Sequence, residues 1–127
     1  MATVGGPERD RTAVHAVIER CFRQDAEWHT MRELPGGGVV HGRTAVEKEL
    51  LDQWSAFAEI EMEMEDLRAV GDQVVTRLVL RTRPHGGGGA LETRVGNLWT
   101  FEQGEVLRVR AFRDHAEALA VAEAEAA

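Results

Sequence analysis

Residues 59–80 read EIEMEMEDLRAVGDQVVTRLVL, and this stretch decides the fold class. Glutamates alternate with apolar side chains along its first half, which is typical of a β-strand with one face in water. After a turn the alternation resumes, and its inward side chains are Val74, Thr76, Leu78 and Leu80. The stretch therefore predicts a long antiparallel hairpin.

The register of this hairpin follows from the turn, which we place at Val70-Gly71-Asp72. A three-residue turn pairs Met62 with Leu80 and Met64 with Leu78. It also sets Glu65 opposite Arg77, whereas a slip of one residue would oppose methionine to arginine. Apolar pairing on one face and charge pairing on the other thus specify the same register.

The rest of the chain supplies helices and two more long strands. Apolar residues at helical spacing predict a helix over 10–24, followed by a short strand over 26–31 and a second helix from Thr44. A third long strand carries Thr93 to Phe101, and a three-residue loop at 102–104 places Trp99 opposite Leu107 on the last strand. Asp114 is placed to cap a terminal helix. Helices on one face of a curved antiparallel sheet make an α+β domain, whose concave side tends to leave an apolar pocket.

Composition bounds the function. For a chain of 127 residues we expect a single domain over 10–127, preceded by a flexible tail over 1–9. A net charge of −7 argues against nucleic-acid binding. The chain has no long apolar run for a membrane span and no apolar leader at its start, so we expect a cytoplasmic protein. The one cysteine, Cys21, lies in an apolar helical pattern and is expected to be a buried thiol.

Six segments fall in order along the chain with a family's spacing: AEWHT at 26–30, LPGG at 34–37, HGRTAV at 41–46, GDQVV at 71–75, NLWTF at 97–101 and FRDHAEAL at 112–119. In them the chain resembles SnoaL-like proteins of the nuclear-transport-factor-2-like superfamily, which includes ketosteroid isomerases and polyketide cyclases. The resemblance implies an α+β cone with the family's usual first helix missing, and a homodimer formed through the sheet. The resemblance says little about function, because this fold supports both enzymes and binding proteins.

The resemblance also suggests where catalysis would occur. The isomerases' carboxylate base ends the first short strand, and this chain has Thr30 there, or His29 if the register shifts by one residue. Asn97 stands where those enzymes hold a protonated acid, and an amide can also donate to an oxyanion. His29 and Asn97 are therefore the candidate catalytic pair. Strand alternation also allows His29 to face away from Trp28, and Asn97 to be a buried amide with a structural partner.

Ligand contacts are expected from side chains on the concave side. Trp28, Trp54, Phe57 and Trp99 point inward, either as core or as pocket lining. Thr30, Asn97 and Val109 extend this surface, and Arg113 lies either at the pocket mouth or in solvent. The five histidines lack the spacing of metal ligands, so we expect neither a metal nor a cofactor.

Two hypotheses remain open. In the first, the protein binds a small hydrophobic ligand, and as an isomerase- or cyclase-type enzyme it acts on a cyclic or polyketide-like compound. In the second, it is a non-catalytic binding or dimerisation module. The outer face of the sheet suits a homodimer interface or a partly solvated surface, and it carries Val75, Arg77, Val79, Leu98, Arg108, Arg110 and Phe112.

Overall fold

The computed structural model describes residues 2–4, 7–31 and 38–127. The LPGG segment at 34–37 lies outside them. The elements in chain order are β1 (Ala2–Val4), α1 (Pro7–Cys21), β2 (Phe22–His29), β3 (Val39–His41), α2 (Arg43–Ser55), β4 (Phe57–Val70), β5 (Gln73–Pro84), β6 (Leu91–Glu102), β7 (Glu105–Phe112) and α3 (His115–Ala126). Within the described ranges, no helix combines the length and apolar character needed to cross a bilayer.

The strands form one curved sheet in the order β1-β4-β5-β6-β7-β2-β3. All neighbours are antiparallel except β2 and β7, which are parallel. Side chains of α1 and α2 pack into the concave face, whereas α3 packs on the outer face against β5 and β6. The α+β class is confirmed, but the helices cover both faces rather than one.

The start of the chain differs from its prediction. Residues 2–4 pair with Ile60 to Met62 of β4, and α1 begins at Pro7, where a tail over 1–9 was expected. This helix ends at Cys21 rather than at residue 24, because Phe22 already pairs with Val106 of β7. The prediction of a buried Cys21 is wrong, since the helix's buried stripe runs through Val14 and Ile18 and leaves the thiol exposed.

The hairpin of β4 and β5 has the predicted register from Glu59 to Met64. Met62 pairs with Leu80 and Met64 with Leu78. The turn itself holds only two residues, Gly71 and Asp72, and a β-bulge after Met64 compensates for the missing one. The bulge places Asp66 rather than Glu65 opposite Arg77, although Glu65 Oε1 still lies 3.4 Å from Arg77 Nε.

In the hairpin of β6 and β7, the predicted register is wrong. Its turn consists of Gln103 and Gly104, both in left-handed conformation with φ of 54° and 82°, which suits a tight two-residue connection. A further bulge follows Thr100, so that Trp99 pairs with Val109 instead of Leu107. The shift is two residues, and because side chains alternate with period two, Trp99 keeps its inward face.

The outer face is largely covered by this chain itself. Val75 and Leu98 are fully buried against Ala118 and Ala122 of α3. The N-terminus of α3 is capped as predicted, with the Ala116 N–H donating to Asp114 Oδ1 at 2.9 Å. Val79 is also fully buried, on a face where glutamate–arginine pairs such as Glu63–Arg81 extend across β4, β5 and β6.

One ion pair fastens the far end of α3 to the sheet. Arg110 donates to both oxygens of Glu125, at 2.7 and 2.8 Å, and Gln73 donates to the same carboxylate at 3.0 Å. A bidentate guanidinium–carboxylate pair is among the stronger polar contacts in proteins. The Arg110 hydrogen bonds lower the pKa of Glu125 to about 2, against an ordinary value of 4.5.

This carboxylate makes the stability depend on pH. Because its pKa is lower in the folded state, its contribution is complete above about pH 4.5 and is lost as the pH falls toward about 2. We expect Glu125→Gln to cost about 1 kcal/mol near neutral pH, after allowing for the partial exposure of the pair. Denaturant titrations of both proteins should show this difference shrinking below pH 4.5. Glu123→Gln is the control, since it removes the same charge from an exposed site on α3; an equal effect there would refute the role of the pair.

Candidate functional site

An apolar cavity of about 360 Å³ lies between α1, α2 and the concave face of the sheet. Its volume falls in the range of small-molecule sites in proteins. The described residues that line it are Ala13, Val14, Val17, Ile18, Phe22, Trp28, Leu50, Trp54, Met62, Leu78, Asn97 and Trp99. None of these side chains ionises, so the described wall offers neither an acid nor a base.

All three tryptophans of the chain contribute to this wall, one each from β2, α2 and β6. Trp99 is fixed from two sides. Its indole N–H donates to the buried Thr76 hydroxyl at 2.9 Å, and its ring packs edge-on against Phe22 with centroids 6.4 Å apart. These two contacts fix the orientation of the Trp99 ring on the cavity wall.

Asn97 is the polar side chain of the cavity. It is 6% exposed and shares the inward face of β6 with Trp99. Its amide makes no hydrogen bond to any described residue, and neither its oxygen nor its nitrogen is closed off from the cavity space. A buried amide normally has partners, so this one is available to a bound molecule.

The structure separates the two candidate catalytic residues. His29 points to the outer face, where its Nε2 lies 3.0 Å from Glu27 Oε1, while Trp28 beside it points into the cavity. Period-two alternation along β2 is the reason. Asn97 lines the cavity, but His29 does not, so the proposed proton-transfer pair is not assembled.

Of the predicted ligand contacts, Trp28, Trp54, Asn97 and Trp99 line the cavity. The other four do not lie among the lining residues. Thr30 instead accepts a hydrogen bond from the Gly38 N–H at 2.6 Å. Phe57 is half-buried at the start of β4, Val109 is fully buried in the core, and Arg113 is exposed beyond β7.

Eight lining residues were not predicted as site residues: Ala13, Val14, Val17, Ile18, Phe22, Leu50, Met62 and Leu78. Their apolar periodicity is visible in the sequence, but it predicts only that they face inward. Periodicity identifies the inward face of an element, but the gap left between two such faces depends on how α1 is placed over the sheet.

A cluster of polar side chains lies outside the cavity, on the outer face at β2 and β3. Glu27 contacts two histidines, with His29 Nε2 at 3.0 Å and His41 Nδ1 at 3.3 Å. The His29 hydrogen bond, aided by the nearby charge of His41, lowers the pKa of Glu27. Across the described ranges, no group of three or more potential ligands is placed to hold a metal ion.

Comparison with known proteins identifies the family of this chain. The profile of the SnoaL-like domain matches residues 8–109. The chain belongs to the SnoaL-like domain family. A search of curated protein sequences finds no match.

Solved structures of this SnoaL-like fold are numerous. A protein of unknown function from Burkholderia pseudomallei K96243, described as NTF2-like, is 21% identical with a TM-score of 0.69, over 89% of this chain and 85% of that one. A protein assigned to the SnoaL-like polyketide cyclases, from Jannaschia sp. CCS1, is 18% identical with a TM-score of 0.67, over 91% and 79%. TerC, co-crystallised with polyporic acid, is 18% identical with a TM-score of 0.65, over 93% and 99%. At these identities the likeness establishes the fold.

Proposed function

We propose that this SnoaL-like protein binds a small, neutral, hydrophobic molecule in the cavity between α1, α2 and the sheet. The observation that carries the proposal is a cavity of about 360 Å³ whose described wall is apolar except for the indole N–H groups and one amide. Tryptophan rings offer broad contact surfaces to a planar or cyclic ligand. The Asn97 amide supplies a polar contact that can orient it.

The absence of ionisable side chains from the described wall favours a neutral ligand. A charged group moved from water into an apolar cavity requires a partner of opposite charge. The arginines that β7 carries, Arg108 and Arg110, lie on the other face with Glu27 and Glu125. A carboxylate or an amine in the cavity would therefore remain uncompensated.

An isomerase- or cyclase-type reaction on a polyketide-like compound is the second candidate. The unbonded Asn97 amide favours it, because an amide N–H can stabilise charge on a carbonyl oxygen. The described wall supplies no base, so the proton acceptor would have to be the substrate itself or water. For this reason binding is the better supported function.

Titration with fluorene, a neutral tricyclic hydrocarbon, tests the proposal. We expect fluorene to quench or shift the fluorescence of the tryptophans, since all three line the cavity. Its dissociation constant should agree within about twofold at about pH 6 and about pH 8, because no group of the described wall titrates there. A failure to bind would contradict the proposal, and an affinity that changes about tenfold over this range would indicate an ionisable group in the site.

The homodimer through the sheet stays a prediction. Val75, Val79 and Leu98 are fully buried within one chain, so a contact on this face would use α3 and the charged side chains. We propose a dimer with a polar contact of this kind, and native mass spectrometry would count its subunits. A monomer at micromolar concentration would refute it.

A further inference from the structure

The free edge of β4 carries exposed apolar side chains. On this edge β1 pairs only with Ile60 to Met62, and the turn into β5 begins at Gly71, so no strand among the described residues pairs with the edge over 63–70. Met64 and Leu67 lie in this stretch and are 56% and 57% exposed. An unpaired edge presents a row of backbone N–H and C=O groups that can pair with another strand. The stretch is therefore the part of the sheet that a further strand can extend.

The two faces of this edge differ in chemistry. Leu67 pairs with Thr76, whose hydroxyl accepts from the Trp99 indole, so Leu67 lies on the concave face. Its neighbours Asp66 and Arg68 point to the outer face, because side chains alternate along a strand. Their side chains are 38% and 56% exposed, with Asp66 Oδ2 3.7 Å from Arg68 Nη2. The edge thus offers one apolar face and one face that carries a charge of each sign.

We propose that a second copy of this chain pairs with this edge, antiparallel and across a twofold axis at Leu67. Residues directly opposite each other in an antiparallel pair point to the same face, so a symmetric pair is centred on one residue, near the middle of the free stretch. Centring on Asp66 would oppose two carboxylates, and centring on Arg68 would oppose two guanidinium groups. Centring on Leu67 instead sets Asp66 opposite the partner's Arg68, twice by symmetry. Charge complementarity therefore selects both the occupant and the register.

The apolar face of the edge agrees with the same register. Leu67 meets the partner's Leu67 at the axis. The bulge after Met64 makes Glu65 the extra residue of the strand, so the next residue to face the partner is Met64, opposite the partner's Ala69. All of these apolar side chains point to the concave face. The pairing covers both exposed apolar residues of the edge and opposes no two like charges.

This contact is independent of the cavity and distinct from the contact through α3 and the outer face proposed above. A pairing of this length buries less than the roughly 1,200 Å² at the lower end of stable interfaces. We therefore expect a weak dimer, with a dissociation constant of about 0.1 mM.

Cysteine crosslinking tests the register. In a Cys21→Ser background, which removes the exposed native thiol, Leu67→Cys places two thiols directly opposite each other, at a Cα separation of about 4.5–5.5 Å that permits a disulfide. Ala69→Cys is the matched control, because it lies on the same face of the same edge but away from the axis. We expect oxidation at about 0.1 mM protein to crosslink Leu67→Cys at least about tenfold faster than Ala69→Cys. Equal rates would refute the register, and no crosslink in either variant would overturn the edge contact.

Charge exchange gives a second readout by sedimentation equilibrium. Asp66→Arg and Arg68→Asp each oppose two like charges across the axis, and each should raise the dissociation constant of the dimer at least about fivefold. The double variant restores opposite charges and should return the constant to within about twofold of the wild-type value. Circular dichroism checks the fold of each variant, since Asp66 Oδ2 also lies 3.6 Å from His115 Nε2. A dimer that persists unchanged in both single variants would use another surface, and the edge contact would be wrong.

Discussion

Replacing Gly96 by alanine should lower the free energy of unfolding by about 2 kcal/mol, the cost of forcing an added group into a packed site. Gly96 lies on β6 directly beneath the start of α3. A Cβ atom there would lie 2.8 Å from the Cα and 3.2 Å from the backbone nitrogen of His115. Because these are backbone atoms of a capped helix, relief requires α3 to move away from the sheet. Chemical denaturation followed by circular dichroism measures the loss.

Gly89→Ala is the matched control for this substitution. Gly89 lies in the connection between β5 and β6, and a Cβ atom there would meet nothing within 4 Å. The free energy of unfolding of Gly89→Ala should stay within about 0.5 kcal/mol of the wild-type value. If Gly96→Ala were as stable as Gly89→Ala, the close docking of α3 on the outer face would be contradicted.

Much of the fold could be predicted because alternation and charge agree along β4 and β5. The pairs Met62–Leu80 and Met64–Leu78 follow from that agreement, and any slip by one residue would reverse the faces. The errors are local. The two turns are tighter than expected, and bulges near Glu65 and after Thr100 restore or shift the register. Neither bulge was predicted from the sequence, because each adds one unpaired residue to its strand and the register beyond it no longer follows from the turn alone.

The position of α3 could not be predicted from its own sequence. The helix is rich in alanine and glutamate, and its buried residues, Ala118 and Ala122, are small. Small residues permit close contact with β6 opposite Gly96, but they give only a weak apolar stripe. The helix therefore covers the face that was expected to be open for a partner, and Arg110 binds Glu125 there instead.

The candidate site, too, could be predicted only in part. Strand parity correctly placed Trp28, Asn97 and Trp99 on the inward face, and it already allowed His29 to point outward. The role of Ala13 could not be inferred, because helical spacing marks an inward position without showing whether it packs in the core or lines a cavity. Its contribution depends on the tertiary placement of α1 above the sheet.

Ala13 also offers the strongest way to block the cavity. It lines the cavity from α1, yet it is exposed, so a larger side chain can enter the cavity mouth without disturbing a packed core. We expect Ala13→Phe to weaken fluorene binding at least about tenfold by occupying part of the ligand volume. Ala16→Phe makes the same change at an exposed position of the same helix that is not among the lining residues. The free energy of unfolding of both variants should lie within about 0.5 kcal/mol of the wild-type value.

Calorimetric titration of fluorene into the wild type and these two variants is the most direct test that the cavity is the binding site. Binding should be kept by the wild type and Ala16→Phe and lost or strongly weakened in Ala13→Phe. Equal affinity in all three proteins would show that fluorene binds elsewhere, and it would contradict the assignment of the cavity between α1, α2 and the sheet as the functional site.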